Sequence, residues 1–131
     1  MPLVIDASVA VTAALDQAGL ATLGRRGLIA PPLLWSEAST VLRQLAWRGE
    51  LTDDAGDQAL VRLDDGTVTP TAPRGLYREA TLIARRLGWA KTYDAEYVAL
   101  ASLQGCPLLT EDRRLQHRAS SIVEVLGPSD L

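Results

Sequence analysis

Apolar positions along this chain fall into two alternating patterns: short continuous runs, too brief for a helix, and longer stretches that repeat with helical period. Leu3-Val4-Ile5 reads as a fully buried strand ended by Asp6, and Ser8 to Leu15 as a short helix. A second strand, Leu28-Ile29-Ala30, is stopped by Pro31 and Pro32. Beyond them Leu34, Ala38, Val41, Leu42 and Leu45 recur at i, i+4, i+7, i+8 and i+11, which predicts a helix with one apolar face ending near Gly49. Thr52 has the chemistry of an N-cap for a helix reaching about Leu63, with Asp53 and Asp54 in its favourable first turn. Asp64-Asp65-Gly66 closes that helix, and Thr67 to Thr71 is β-rich and stops at Pro73. Further helices are expected over Leu76 to Leu87, with Gly88 at the end, and over Asp94 to Leu103, followed by Gly105. Pro107-Leu108-Leu109 and Ile122 to Leu126 are the last strand candidates, with a polar turn or short helix around Asp112 to Arg118 between them. Strands alternating with helices predict an α/β fold: a sheet with crossover helices.

Composition narrows this picture. With 131 residues, 47% hydrophobic and 22% charged, the chain is expected to be a single domain over 1–131, outside the regime of disordered chains. The lone Cys106 excludes an internal disulfide and suits a reducing compartment, so a cytoplasmic location is expected. The apolar stretch Ala7 to Leu15 follows Asp6, has no flanking Lys or Arg and is too short to span a bilayer, so no membrane or export segment is expected. A net charge of −3 argues against a basic nucleic-acid module. Only Lys91 among the 13 basic residues is lysine; an arginine bias is compatible with RNA contact, although genomic base composition is the favoured explanation.

Four acids sit where solvated acids do not belong. Asp6 lies just past a buried strand, where an α/β sheet opens its ligand crevice. Glu37 falls three residues after Leu34 and four before Val41, which puts its carboxylate on the core-facing side of a helix. Asp94 precedes Tyr97, Val98 and Ala101 by three, four and seven, and Asp112 follows the strand Leu108-Leu109. Buried carboxylates are costly unless paired or bound to a cation. Hard oxygen donors without a nearby His or Cys in sequence select Mg²⁺ or Mn²⁺, and such sites serve metal-assisted phosphodiester hydrolysis. Ser8 and Thr110, each two residues from an acid, have hydroxyls that can orient those carboxylates. Taken singly, Asp94 and Asp112 also suit helix N-caps, and Asp6 a turn that satisfies amides. Arg113, Arg114 and Arg118 beside Asp112 suit an RNA backbone, an acidic partner segment or a solvated face. His117 reads as a surface residue, Cys106 as a small buried packer, and Trp35, Trp47 and Trp89 as packing residues before stacking ones.

Val4-Ile5-Asp6-Ala7-Ser8-Val9, Ser36-Glu37-Ala38, Asp94-Ala95-Glu96-Tyr97-Val98-Ala99-Leu100-Ala101 and Leu109-Thr110-Glu111-Asp112-Arg113-Arg114-Leu115 resemble, in order and spacing, the PIN domain, and more narrowly the VapC toxins of toxin–antitoxin pairs. Ala7 stands where many relatives carry Ser or Thr. The resemblance implies a three-layer α/β/α sandwich on a mainly parallel sheet. It also implies an endoribonuclease dependent on Mg²⁺ or Mn²⁺, with Asp6, Glu37, Asp94 and Asp112 as the acidic cluster. RNA as substrate, a homodimer and a cognate VapB-like antitoxin are the implied partners. Two other classes stay open on residues alone. A receiver-like phosphoacceptor module fits the size, although Asp53, Asp54 and Asp57 fall in a helical stretch. A haloacid-dehalogenase-type phosphatase fits the strand-Asp start, although Ser8 occupies the place of its second acid.

Overall fold

The computed structural model describes residues 1–131. Its strands are β1 (Leu3–Ile5), β2 (Leu28–Ala30), β3 (Val68–Pro70), β4 (Leu108–Leu109) and β5 (Val125–Leu126), and its helices are α1 (Ala7–Leu15), α2 (Gly19–Gly24), α3 (Leu33–Trp47), α4 (Asp53–Leu63), α5 (Leu76–Leu87), α6 (Tyr93–Gln104) and α7 (Arg113–Ala119). The sheet is wholly parallel in the order β3-β2-β1-β4-β5. In its centre Val4 pairs with both Ile29 and Leu108, which explains the unbroken apolar run at residues 3–5: a central parallel strand has no polar face.

The order fixes the layers. From β1 the chain steps to β2 and then β3 in one direction, so right-handed crossovers place α1, α2, α3 and α4 on one face. After β3 it crosses back to β4 and continues to β5 in the opposite direction, which places α5, α6 and α7 on the other. Contacts follow suit: α1 packs on α2, α3 and α4, whereas α6 packs on α5, β1 and β4. The result is a three-layer α/β/α sandwich, as the resemblance implied. The direction reverses between β1 and β4, and a crevice opens beyond the carboxyl ends of adjacent strands at such a switch point.

Local chemistry sets most element ends. Thr52 caps α4 as expected, its hydroxyl accepting from Ala55 N at 3.1 Å. Gly88, with φ 73°, ends α5 in the left-handed conformation that a Cβ would penalise. The helix α2 has no counterpart in the sequence pattern. It is six residues long, has no side-chain cap and buries only Leu20, so neither periodicity nor capping announces it. Tertiary packing creates it: a Cβ on Gly19 would stand 2.4 Å from the Ala13 carbonyl oxygen, so only glycine lets this turn approach α1. Arg62 ties α4 to α1 by donating to the Ala14 carbonyl at 2.7 Å. Trp35 is half-buried and donates its indole N–H to Leu63 O at 3.1 Å, whereas Trp47, expected to pack, is 77% exposed at the end of α3. Cys106 is buried among the core residues. No helix is long and apolar enough to cross a membrane.

Candidate active site

The switch point brings together the four acids that lie far apart in sequence. Asp6 leaves β1 and caps α1: its Oδ1 accepts from Val9 N at 3.1 Å and from the Ser8 hydroxyl at 2.6 Å. Its Oδ2 accepts from the Thr110 hydroxyl, which stands at the end of the neighbouring β4. Thr110 Oγ1 in turn accepts from Asp112 N at 3.0 Å, and Ser8 Oγ accepts from Glu111 N at 3.2 Å. The two strand ends are thus stitched through hydroxyls across the point where the topology reverses. Asp6 acts as a turn-and-cap residue, and it is buried beside the crevice within electrostatic reach of Asp112, Asp94 and Glu37. The cap role read from sequence is therefore met, and the several lone pairs of a carboxylate leave acceptor capacity beyond it.

Asp112 is the N-cap of α7, its Oδ1 accepting from Arg114 N at 2.9 Å and Leu115 N at 3.3 Å. Asp94 is not a cap: Thr92 holds that position in α6, and the Asp94 side chain makes no hydrogen bond within the protein. Glu37 lies in the second turn of α3, half-buried, and accepts at Oε1 from the Tyr97 hydroxyl at 2.5 Å. Burial raises the carboxyls of Asp6, Glu37 and Asp94 above their ordinary range, and the mutual charges add to the rise: Asp112 on Asp6 and Asp94, Asp6 on Glu37 and Asp94, Asp94 on Glu37. Burial and then Glu37 raise the Tyr97 phenol far beyond its ordinary value, so it remains a donor.

These shifts have a consequence for the metal-free fold. Groups whose folded-state values are raised favour folding while protonated, and that contribution is lost as pH rises through the raised values. Thermal stability in a chelator is therefore expected to fall as pH climbs from the carboxylate range toward neutrality. Glu37→Gln, which keeps an acceptor for Tyr97, is expected to flatten that fall and raise Tm at neutral pH by a few degrees, about the effect of 1 kcal/mol in a domain of this size. Melting curves against pH for the two proteins check it.

The crevice has further walls that the residue pattern did not assign. Tyr97 was legible only as core, because nothing in its spacing says what its hydroxyl meets. Glu96, buried in α6, is a fifth acid, its carboxyl raised by burial and then by Glu37. Around Asp94 open two lobes of about 470 and 490 Å³, the first lined by Asp112, Arg114, His117 and Arg118, the second by Glu37, Lys91 and Tyr93; Trp89 lines both. His117 is thus exposed, as expected, but toward the crevice. Of the three arginines named from sequence, Arg114 and Arg118 line the first lobe and Arg113 does not.

The pattern of the PIN domain matches residues 3–120. The chain belongs to the PIN domain family. This PIN domain is 37% identical to ribonuclease VapC9 of Mycobacterium tuberculosis over 114 residues, covering 86% of this chain and 87% of that protein, and equally to a VapC ribonuclease of Mycobacterium bovis. Among solved structures it is similar to PAE2754 from Pyrobaculum aerophilum, with a TM-score of 0.79 and 23% identity over 99% of this chain and 94% of the other. VapBC2 from Rickettsia felis, solved on a DNA fragment from its promoter, aligns with a TM-score of 0.66 and 9% identity over 97% and 98% of the two chains. At those identities the structures speak for the PIN fold alone.

No three His, Cys, Asp or Glu side chains of this PIN domain stand ready to chelate one ion. The donor set nonetheless suits Mg²⁺, which binds through one or two carboxylates, several retained waters and substrate phosphate oxygens in place of an all-protein cage. Carboxylates that repel one another at a strand-end crevice are a site where a divalent cation relieves an electrostatic cost.

Proposed function

We propose that this PIN-domain protein is an endoribonuclease dependent on Mg²⁺, with Mn²⁺ able to substitute, and that it is the toxin of a toxin–antitoxin pair. The observation that carries the reading is the convergence of Asp6, Glu37, Asp94 and Asp112 at the switch point, with Asp6 locked by Ser8 and Thr110. The likeness to named VapC ribonucleases supplies the substrate class. Of Asp6, Glu37, Asp94 and Asp112, one or two would hold the cation directly and the others through its retained waters; the cation's chemistry is to lower the pKa of a water and to offset charge on the scissile phosphate. The chain's own work is orientation. Ser8 and Thr110 fix the Asp6 carboxylate in one orientation beside the crevice, and Tyr97 holds Glu37. Arg114 supplies a planar fork to a phosphate beside the acids.

The net charge of −3 is compatible with this function. Setting the four proposed ligands aside leaves the other acids of the 16 balanced by 13 basic residues, and a bound cation makes the crevice attractive to phosphate. We propose as partners a VapB-like antitoxin, on the likeness to VapC ribonucleases and to VapBC2, and also a second copy of the chain, with a cytoplasmic location. The purified protein is expected to cleave RNA with Mg²⁺ and to stop with EDTA. Thr110→Val, which removes the hydroxyl from Asp6 while preserving shape, is expected to lower cleavage about 10- to 100-fold, the usual cost of losing a group that orients a metal ligand. Cleavage undiminished by EDTA would sink the reading.

A further inference from the structure

The two lobes beside the acids meet at one side chain. Trp89 lines both, together with Asp94. Its place is set by the end of α5. Gly88 turns left-handed, Trp89 N donates to Ala84 O at 2.7 Å, and the Arg118 guanidinium donates to Leu87 O just before it. One side of the indole packs on the core while the side chain as a whole stays half-exposed. Trp35 shows what a structural tryptophan looks like in this protein: its indole N–H is spent on a carbonyl, whereas that of Trp89 has no protein partner.

Charge is distributed about Trp89 in a telling way. Arg114 and Arg118 lie in one lobe, and the sole lysine of the chain, Lys91, lies in the other. None of them is ion-paired, since the protein's single salt bridge joins Arg48 to Glu50. Cations this close to a cluster of carboxylates, yet unpaired with them, are positioned for an anion that spans the cluster. A strand with phosphates on either side of the acids and an aromatic face between them meets that description. The lobes fall within the range of roughly 300–1,000 Å³ that seats a small ligand.

Resting on the nuclease reading above, we propose that Trp89 is a stacking platform for an unpaired base, which divides the crevice into two nucleotide subsites, one with Arg114 and one with Lys91 reaching the flanking phosphates. A base inside a duplex has no free face to offer an indole, so the platform selects single-stranded RNA. Trp89 is therefore a positioning residue that touches substrate and does not act on the scissile bond.

The test compares Trp89→Phe, which keeps an aromatic face, with Trp89→Leu, which keeps an apolar contact to the core without one. In steady-state cleavage of a single-stranded oligoribonucleotide, Trp89→Leu is expected to raise KM roughly 10- to 100-fold with kcat within a few-fold of wild type. Trp89→Phe should recover most of that loss. In the Asp94→Asn background, which keeps the fold and slows turnover, the same oligonucleotide should quench tryptophan fluorescence, and the quench should vanish in Trp89→Phe. Pairing the oligonucleotide with its complement should abolish both binding and cleavage. Equal KM values for wild type and Trp89→Leu, or equal affinity for duplex and single strand, would overturn the platform while leaving the nuclease reading intact. If a wild type loaded with Mg²⁺ neither binds nor cuts RNA, the nuclease reading fails and takes the platform with it. Displacement of the strand by an acidic peptide of matched charge at equal concentration would assign the lobes to a protein partner and also overturn the platform.

Discussion

Replacing Asp94 by Asn is expected to lower RNA cleavage by roughly two to three orders of magnitude, the scale of losing one preorganised charge at a reacting phosphate, while leaving the fold intact. The expectation of an intact fold is the sharper half. Asp94 is exposed and makes no hydrogen bond in the protein, and partial desolvation together with Asp112 and Asp6 raises its carboxyl, so in the absence of a cation its charge carries a small, solvent-screened cost to stability. The amide removes that cost and nothing else. In a chelator the variant should melt at or above the wild-type temperature; with Mg²⁺ the wild type should gain stability and the variant should gain less. Asp6→Asn is a poorer probe, because Asp6 accepts from Ser8, Val9 and Thr110, and an amide cannot accept at both atoms. An Asp94→Asn protein that cuts RNA at the wild-type rate would remove Asp94 from the site.

Tyr97→Ala is expected to leave the domain marginal. The ring is 1% exposed, so its truncation opens a cavity costing about 3–5 kcal/mol, a large part of the roughly 5–15 kcal/mol that holds a domain together. Denaturant midpoints measure it. Tyr97→Phe separates packing from orientation: it keeps the ring and removes the donor from Glu37. That variant should fold with a loss of about 1 kcal/mol, yet cleave about 10-fold more slowly, because the Glu37 carboxylate is no longer held toward the crevice. A Tyr97→Phe enzyme as fast as wild type would show that Glu37 needs no such restraint.

Most of the frame could be read in the amino-acid order because its causes are local. The apolar run at 3–5 is a strand covered on both faces, Leu34, Ala38 and Leu42 of the predicted helix face are buried whereas Val41 is 37% exposed, and Thr52 and Gly88 punctuate helices by side-chain chemistry and backbone freedom. The four acids were also visible as departures from the pattern around them, although only Asp6 is buried and Glu37 half-buried, while Asp94 and Asp112 are exposed. Where they meet was not. Asp6 and Thr110 are 104 residues apart, and Glu37 and Tyr97 60, and only the reversal of direction between β1 and β4 brings each pair within a hydrogen bond. Likewise α2 exists because Gly19 lets it close on Ala13, and Trp89 faces the crevice because the turn at Gly88 aims it there. Periodicity records which side of an element is buried. Which side chain stands opposite, and which cation stays unpaired, depends on distances between elements, and those are set by the packed sheet alone.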